Sequence, residues 1–174
     1  MNKKWFVIVN PTSGNGASKK KWPLIFKELK QQQFNFEFVI TTHKYHAENL
    51  VQNAIIKGFK KFICIGGDGT LHAIVNGILS LNTENISTSL NNISEIKIGI
   101  IPIGTGNDWV KTYTISKDYK EAIKIIKAEY TKKQDIGKIT LISENKVIYF
   151  NNLAGIGFDG FVVNKVHKFK NLGS

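Results

Sequence analysis

Cysteine and proline are scarce in this chain: one cysteine and three prolines in 174 residues. A lone cysteine forms no internal disulfide, and Cys64 has no metal-ligand pattern around it, so its place in an apolar segment predicts core packing. Apolar runs such as residues 62–65 and 98–103 fall far short of the ~20 residues that cross a bilayer. The opening residues Met1-Asn2-Lys3-Lys4 lead directly into the apolar segment 5–9, with neither a signal-type stretch nor a small-residue cleavage site, which reads as cytoplasmic. His43, His46, His72 and His167 are scattered and have no accompanying cysteines, which argues against a zinc site. Acidic residues are few as well, 13 against 24 basic ones, giving a formal charge of +11. Such a surface attracts nucleic acid, nucleotide phosphates or an anionic membrane. The aromatic residues follow strand and helix periodicity and are not interleaved with lysine as a base-stacking surface requires, which speaks against nucleic acid. Lysines group at Lys19-Lys20-Lys21, at Lys57, Lys60 and Lys61, and at Lys165, Lys168 and Lys170, as solvated helix faces do.

What is present is a repeated pattern. The apolar run 5–9 ends in a glycine-bearing turn, and Trp22, Ile25, Phe26 and Leu29 then recur at helical spacing, with Pro23 expected in the first turn. Residues 34–40 alternate as a strand, and Ala47, Leu50, Val51, Ala54 and Ile55 predict an amphipathic helix closed by Gly58. A third strand, 61–65, precedes a helix over 71–81. A fourth, 96–101, precedes a helix around 119–128, and between these units lies a polar loop, 82–95, expected to be the most mobile segment. Strand-loop-helix alternation implies a parallel sheet, since parallel strands need crossovers. The expected fold is α/β: a Rossmann-like open parallel sheet with helices on both faces over residues 1–131. After residue 131 the texture changes. Residues 136–142 and 146–153 flank the polar turn Ser143-Glu144-Asn145 and predict an antiparallel hairpin, the start of a second, β-rich domain over 132–174.

The chemistry lies in three loops. Asn10-Pro11-Thr12-Ser13-Gly14, Gly66-Gly67-Asp68-Gly69-Thr70 and Gly104-Thr105-Gly106-Asn107-Asp108 each follow a predicted strand. In an open α/β sheet, ligands bind at the carboxyl edge. Glycine lets main-chain amides approach phosphate oxygens, hydroxyls add donors, and a following helix contributes positive potential. Neither Gly-x-x-x-x-Gly-Lys-Ser/Thr nor Gly-x-Gly-x-x-Gly follows the first strand, so a different phosphate-binding design is needed.

In order and spacing these loops resemble the three signatures of the diacylglycerol kinase catalytic domain family, and Asn151-Asn152-Leu153-Ala154-Gly155-Ile156-Gly157-Phe158-Asp159 resembles its next segment. Gly-Gly-Asp-Gly-Thr is shared with NAD kinases, whereas Asn-Pro-x-Ser-Gly joined to Gly-Thr-Gly-Asn-Asp points to lipid kinases, sphingosine and ceramide kinases among them. The resemblance implies an ATP site in a cleft between the α/β domain and a β-sandwich domain. The nucleotide would be held by Asn10, Pro11, Thr12, Ser13, Gly14, Thr41, Gly66, Gly67, Asp68, Gly69, Thr70, Gly104, Thr105, Gly106 and Asn107. By the same resemblance Asp68, Asp108 and Asp135 would form a carboxylate and water network around Mg2+. Magnesium suits such a set because it takes oxygen ligands and keeps several waters.

The implied activity is transfer of the ATP γ-phosphate to the hydroxyl of a membrane lipid, diacylglycerol or a relative, by a cytoplasmic protein peripherally associated with anionic membrane. Two features depart from the pattern. Ala73 stands where the family commonly has glutamate, and the family's general base lies in a later segment, beyond Ser174. A fragment that binds nucleotide weakly and turns over poorly or not at all is therefore expected. The alternatives are an NAD kinase-type enzyme, against which Asn10-Pro11-Thr12-Ser13-Gly14 speaks, and a non-catalytic nucleotide- or polyanion-binding module.

Overall fold

The computed structural model describes residues 4–81 and 93–154. The polar stretch 82–92, residues 155–159 of the fourth motif, His167 and the group Lys165, Lys168 and Lys170 lie outside the described residues. Four parallel strands, β1 (Trp5–Val9), β2 (Phe36–Ile40), β3 (Lys61–Gly66) and β4 (Lys97–Pro102), form one sheet in the order β2-β1-β3-β4. The strands are rich in valine, isoleucine and phenylalanine, which suit a pleated surface covered on both sides. Alternate residues serve the two faces. Ile8, Phe62, Cys64 and Ile100 pack beneath α2 (His46–Ile56) and α3 (Asp68–Leu79). Val7, Val9, Ile63, Ile65 and Ile101 pack beneath α1 (Ala17–Gln31) and α5 (Tyr119–Ala128). The expected sheet with helices on both faces is present.

Local chemistry sets several boundaries. Asp118 caps α5 by accepting hydrogen bonds from the amides of Lys120 (2.8 Å) and Glu121 (3.1 Å). At the end of α2, Gly58 donates to the Ile55 carbonyl (2.8 Å) and Phe59 to that of Ala54 (3.0 Å), a Schellman closure at the glycine expected to cap it. Helices α2 and α3 meet at the main chain: a Cβ on Gly77 would lie 2.7 Å from the Glu48 carbonyl oxygen, so only glycine permits this approach.

Three expectations need correction. Pro23 lies inside α1, not in its first turn, because the helix already begins at Ala17, after a left-handed Gly16. The hydrogen bond it forgoes falls at exposed Lys19, where water can take the carbonyl. Helix α3 starts at Asp68 and not at Leu71, since the amides of Thr70 (3.0 Å) and Leu71 (3.1 Å) both donate to the Gly67 carbonyl. A short helix, α4 (Asp108–Thr112), was not expected at all.

After α5, β5 (Gly137–Leu141) and β6 (Lys146–Phe150) form the expected antiparallel hairpin, joined through a 3-10 turn at Ile142–Glu144. It packs against α3 through β6. The Asn76 side chain, buried in α3, receives the Tyr149 amide at Oδ1 (2.9 Å) and donates from Nδ2 to the Tyr149 carbonyl (2.8 Å), as a neighbouring strand would. The same Nδ2 donates to the His72 carbonyl (2.9 Å), so the amide is fully used where water is excluded.

Candidate functional site

The strand register brings the loops to one edge. Val9 is level with Ile65, and Gly66 with Pro102, so the chain leaves β1, β3 and β4 at the same height. Asn10 joins the first two loops. Its main-chain amide donates to the Ile65 carbonyl (3.0 Å), and its Nδ2 donates to Thr70 Oγ1 (2.9 Å). Its Oδ1 accepts from the Thr12 amide (3.2 Å) and hydroxyl (2.9 Å), folding the loop on itself. Ser13 Oγ lies 3.4 Å from Thr70 Oγ1. One buried threonine in the first turn of α3 thus receives two polar side chains from a loop nearly 60 residues earlier.

The second and third loops touch at their main chains. The Ile103 amide donates to the Gly66 carbonyl (2.8 Å). A Cβ on Gly104 would sit 3.0 Å from the Gly67 Cα and 2.5 Å from Asn107 Oδ1, so no larger residue fits. Asn107, buried and left-handed (φ 52°), donates from Nδ2 to the Gly104 carbonyl (2.8 Å) and holds that turn closed. Loop one meets loop three as well, since a Cβ on Gly14 would lie 3.4 Å from Ile103 Cγ2. Asn10, Gly67 and Gly104 therefore belong to a single junction, with Gly69, Thr105 and Gly106 exposed at its mouth.

Asp68 fixes the third loop electrostatically. Its carboxylate accepts from the amides of Asp108 (3.0 Å) and Trp109 (3.2 Å), which makes it the cap of α4 from 40 residues away. Asp108 Oδ1 pairs with Lys111 (2.5 Å). A Cβ placed on Gly106 would be 3.6 Å from Oδ2 of both Asp68 and Asp108, which brings the two carboxylates close to one point beside that glycine. Cys64, buried in β3, has its thiol pKa driven strongly upward, mainly by desolvation and further by the charge of Asp68.

The remaining expected residues sit around this junction. Pro11 and Thr12 line a groove of 730 Å³ with Val9, Lys19, Trp22 and Ile40. Thr41 follows Ile40 at the end of β2, one strand out from β1, where its amide donates to the Val9 carbonyl (2.9 Å). Exposed Asp135 lines a separate hollow of 400 Å³ with Trp109, Tyr113, Lys133, Gln134 and Asn151. Asp68 and Asp108 thus come together and Asp135 stands next door. Among the described residues no three carboxylate, imidazole or thiol side chains group closely enough to enclose a metal ion.

Sequence reasoning overlooked the connection between these two places. Trp109, whose amide caps onto Asp68, donates its indole N–H to Gln134 Oε1 (2.8 Å), and Gln134 Nε2 donates to the Asn151 carbonyl. It also overlooked Asn76, although an amide among Leu71, Ile74, Val75 and Ile78 on a buried helix face is a signal that it needs a partner.

Comparison with known proteins gives a consistent family. The diacylglycerol kinase catalytic domain matches over residues 4–139. A Bacillus subtilis (strain 168) protein named "Putative lipid kinase YtlR" is 34% identical over 95% of this chain and 51% of its own length. A protein named diacylglycerol kinase from Staphylococcus haemolyticus (strain JCSC1435) is 32% identical over 87% of this chain and 41% of its own. Among solved structures, a diacylglycerol kinase from Bacillus anthracis str. Sterne superposes with a TM-score of 0.61 at 28% identity, over 77% of this chain and 42% of that one. The chain thus spans about half the length of the relatives it matches. With the match running from β1 to β5 and taking in all three loops of the junction, the chain belongs to the diacylglycerol kinase catalytic domain family.

Proposed function

We propose that the chain is the nucleotide-holding part of an ATP-dependent lipid kinase, which transfers the ATP γ-phosphate to a lipid hydroxyl at a membrane surface. The observation that carries this reading is the junction of three loops through Asn10, Thr70, Gly67 and Gly104. The first turn of α3 starts there; the Gly67 carbonyl takes the amides of Thr70 and Leu71, and the preceding amides of Asp68 and Gly69 have no acceptor within the helix. The hydroxyls of Ser13 and Thr105 belong to the same loops, so polyphosphate oxygens would meet neutral donors and a helix N-terminus. Gly67 and Gly104 let the second and third loops close on each other, since a Cβ on either would meet Asn107 Oδ1 and the Cα of the other glycine.

The carboxylates fit magnesium in the water-rich manner that ion prefers. Asp68 and Asp108 supply hard oxygens close together beside Gly106, and one or two carboxylates suffice when waters and phosphates complete the shell. When bound, the ion would neutralise charge on the transferring phosphate. The chain's own contribution is positional, since phosphoryl transfer depends chiefly on alignment and fixed electrostatics. Asp68 holds the third loop by its two main-chain hydrogen bonds, and Asn10 holds the first. A base for the lipid hydroxyl is expected from the half of the relatives' length that this chain does not span.

Titration calorimetry with MgATP tests the reading. Asn10→Ala and Thr70→Val are each expected to weaken binding by about tenfold, the effect of ~1.4 kcal/mol, while circular dichroism stays unchanged. Binding that is indifferent to both substitutions would remove the junction as the site. In a chain of the relatives' length, phosphorylation of NAD in preference to diacylglycerol would overturn the lipid assignment.

A further inference from the structure

We infer that the face formed by α1 and the edge strand β2 is the surface that lies on an anionic bilayer. This rests on the membrane-surface reading above and adds the face that makes contact. Residues three and four apart are neighbours on a helix, so Lys19, Trp22, Phe26 and Lys30 form one line along α1. On β2, Phe36, Phe38 and Ile40 share one side of the strand. The two rows interlock: ring centroids are 5.0 Å apart for Trp22 and Phe38, and 5.6 Å for Phe26 with both Phe36 and Phe38. The inner end of this cluster is buried at Phe36, yet Phe38 remains 46% and Ile40 41% exposed. Lysines stand at both ends. Lys19 lines the groove with Trp22 and Ile40, and Lys30 Nζ lies 5.7 and 5.1 Å from the ring centres of Phe26 and Phe36. Helix α1 as a whole carries five lysines against the single Glu28.

Tryptophan favours the headgroup level of a membrane, phenylalanine and isoleucine bury apolar surface at the headgroup and acyl boundary, and lysine stems lie along apolar surface while the ammonium reaches phosphate. Each lysine near an anionic surface adds a favourable contribution. Charge argues against a second copy as occupant, and ring geometry against a nucleic acid. Two copies meeting through this face would bring lysine rows against each other, a like-charge contact. A nucleic acid would need open ring faces, whereas Trp22 and Phe26 meet edge-on at 72° and Phe26 and Phe38 also at 72°. The groove beside this face reaches Pro11 and Thr12, so a docked protein would hold its candidate nucleotide loops next to the lipid surface.

Vesicle co-sedimentation of the 174-residue chain tests the face, using phosphatidylglycerol mixed with phosphatidylcholine and phosphatidylcholine alone. Phe38→Ser with Ile40→Ser is expected to lower partitioning about tenfold, with circular dichroism at the assay temperature showing that the chain remains folded despite the packing Phe38 gives up on Trp22 and Phe26. Lys19→Glu with Lys30→Glu should lower it tenfold or more, and should abolish the preference for anionic vesicles. The matched reversal on the hairpin, Lys138→Glu with Lys146→Glu, should change partitioning less than twofold. Equal losses from the hairpin pair, or full binding by the Phe38 and Ile40 variant, would overturn the assignment of the face while leaving membrane binding itself intact. A chain that ignores anionic vesicles altogether would sink both readings. A change of oligomeric state in these variants, with vesicle binding unchanged, would show a protein interface instead.

Discussion

In β3, residues 62–66 are all buried, whereas in β6 no residue is. The first strand lies between two layers of helices and is held by apolar burial that requires only the right volume and sidedness. The second is a half-exposed hairpin strand, positioned on α3 by an amide that imitates a strand edge and tied to α4 through Trp109 and Gln134. Burial is tolerant of exchange among apolar residues, while directional hydrogen bonds are not. The contrast separates what keeps the α/β unit folded from what aims the hairpin at it.

The largest effect is expected in the sheet. Ile63→Ala, at a fully buried position of β3, should cost about 3–4 kcal/mol of global stability in urea denaturation, and its main-chain amides should lose protection together with those of β1. Asn76→Ala should sharpen the contrast with a local effect of about 2 kcal/mol, because the Tyr149 amide and carbonyl lose their partner. Hydrogen exchange at Tyr149 should accelerate roughly 30-fold while Ile63 keeps its protection. Equal acceleration at both would mean that hairpin and sheet open as one unit. A smaller loss, about 1 kcal/mol in thermal melts, is expected from Asp118→Ala, which removes the cap of α5 on the sheet side.

The smallest effect is electrostatic. Glu129 receives Lys61 from β3 (2.5 Å) and Lys97 from β4 (3.0 Å), and the hydrogen bonds from these two lysines, Lys61 first, hold its carboxyl pKa below the ordinary value. A lowered folded-state pKa means stabilisation that is present above the unfolded-state pKa and disappears as pH falls through the folded one. For so exposed a pair it amounts to ~0.5 kcal/mol. The urea midpoint of Glu129→Gln should therefore fall below that of the parent at neutral pH and converge with it in acid. A constant gap across pH would assign the effect to packing.

The parts of this fold legible in the sequence are those whose cause is local. Residues 5–9, 61–65 and 96–101 read as strands because apolar β-formers ended in glycine loops, and the helix expected around 119–128 lies at those bounds, capped in the structure by its immediate neighbour Asp118. The three loops of the junction were legible for the same reason. The five residues of α4 were not, since their cap is Asp68, a carboxylate 40 residues upstream. Nor was the duty of Asn76, whose partner Tyr149 is 73 residues away. Asp135 was grouped with Asp68 and Asp108 through family resemblance, and its position in the neighbouring hollow depends on where the hairpin is held, which no short-range pattern records. Pro23 misled in a smaller way: a proline suggests the first turn of a helix, but an outward-facing backbone position admits one further in.

Cys64 gives the molecule an internal clock. At neutral pH its sulfur carries almost no thiolate while β3 is sandwiched between helices, so alkylating reagents have nothing to attack until the strand is released. Since the chain has no other cysteine, its modification rate at a reagent concentration that outpaces reclosing reports how often its central strand opens.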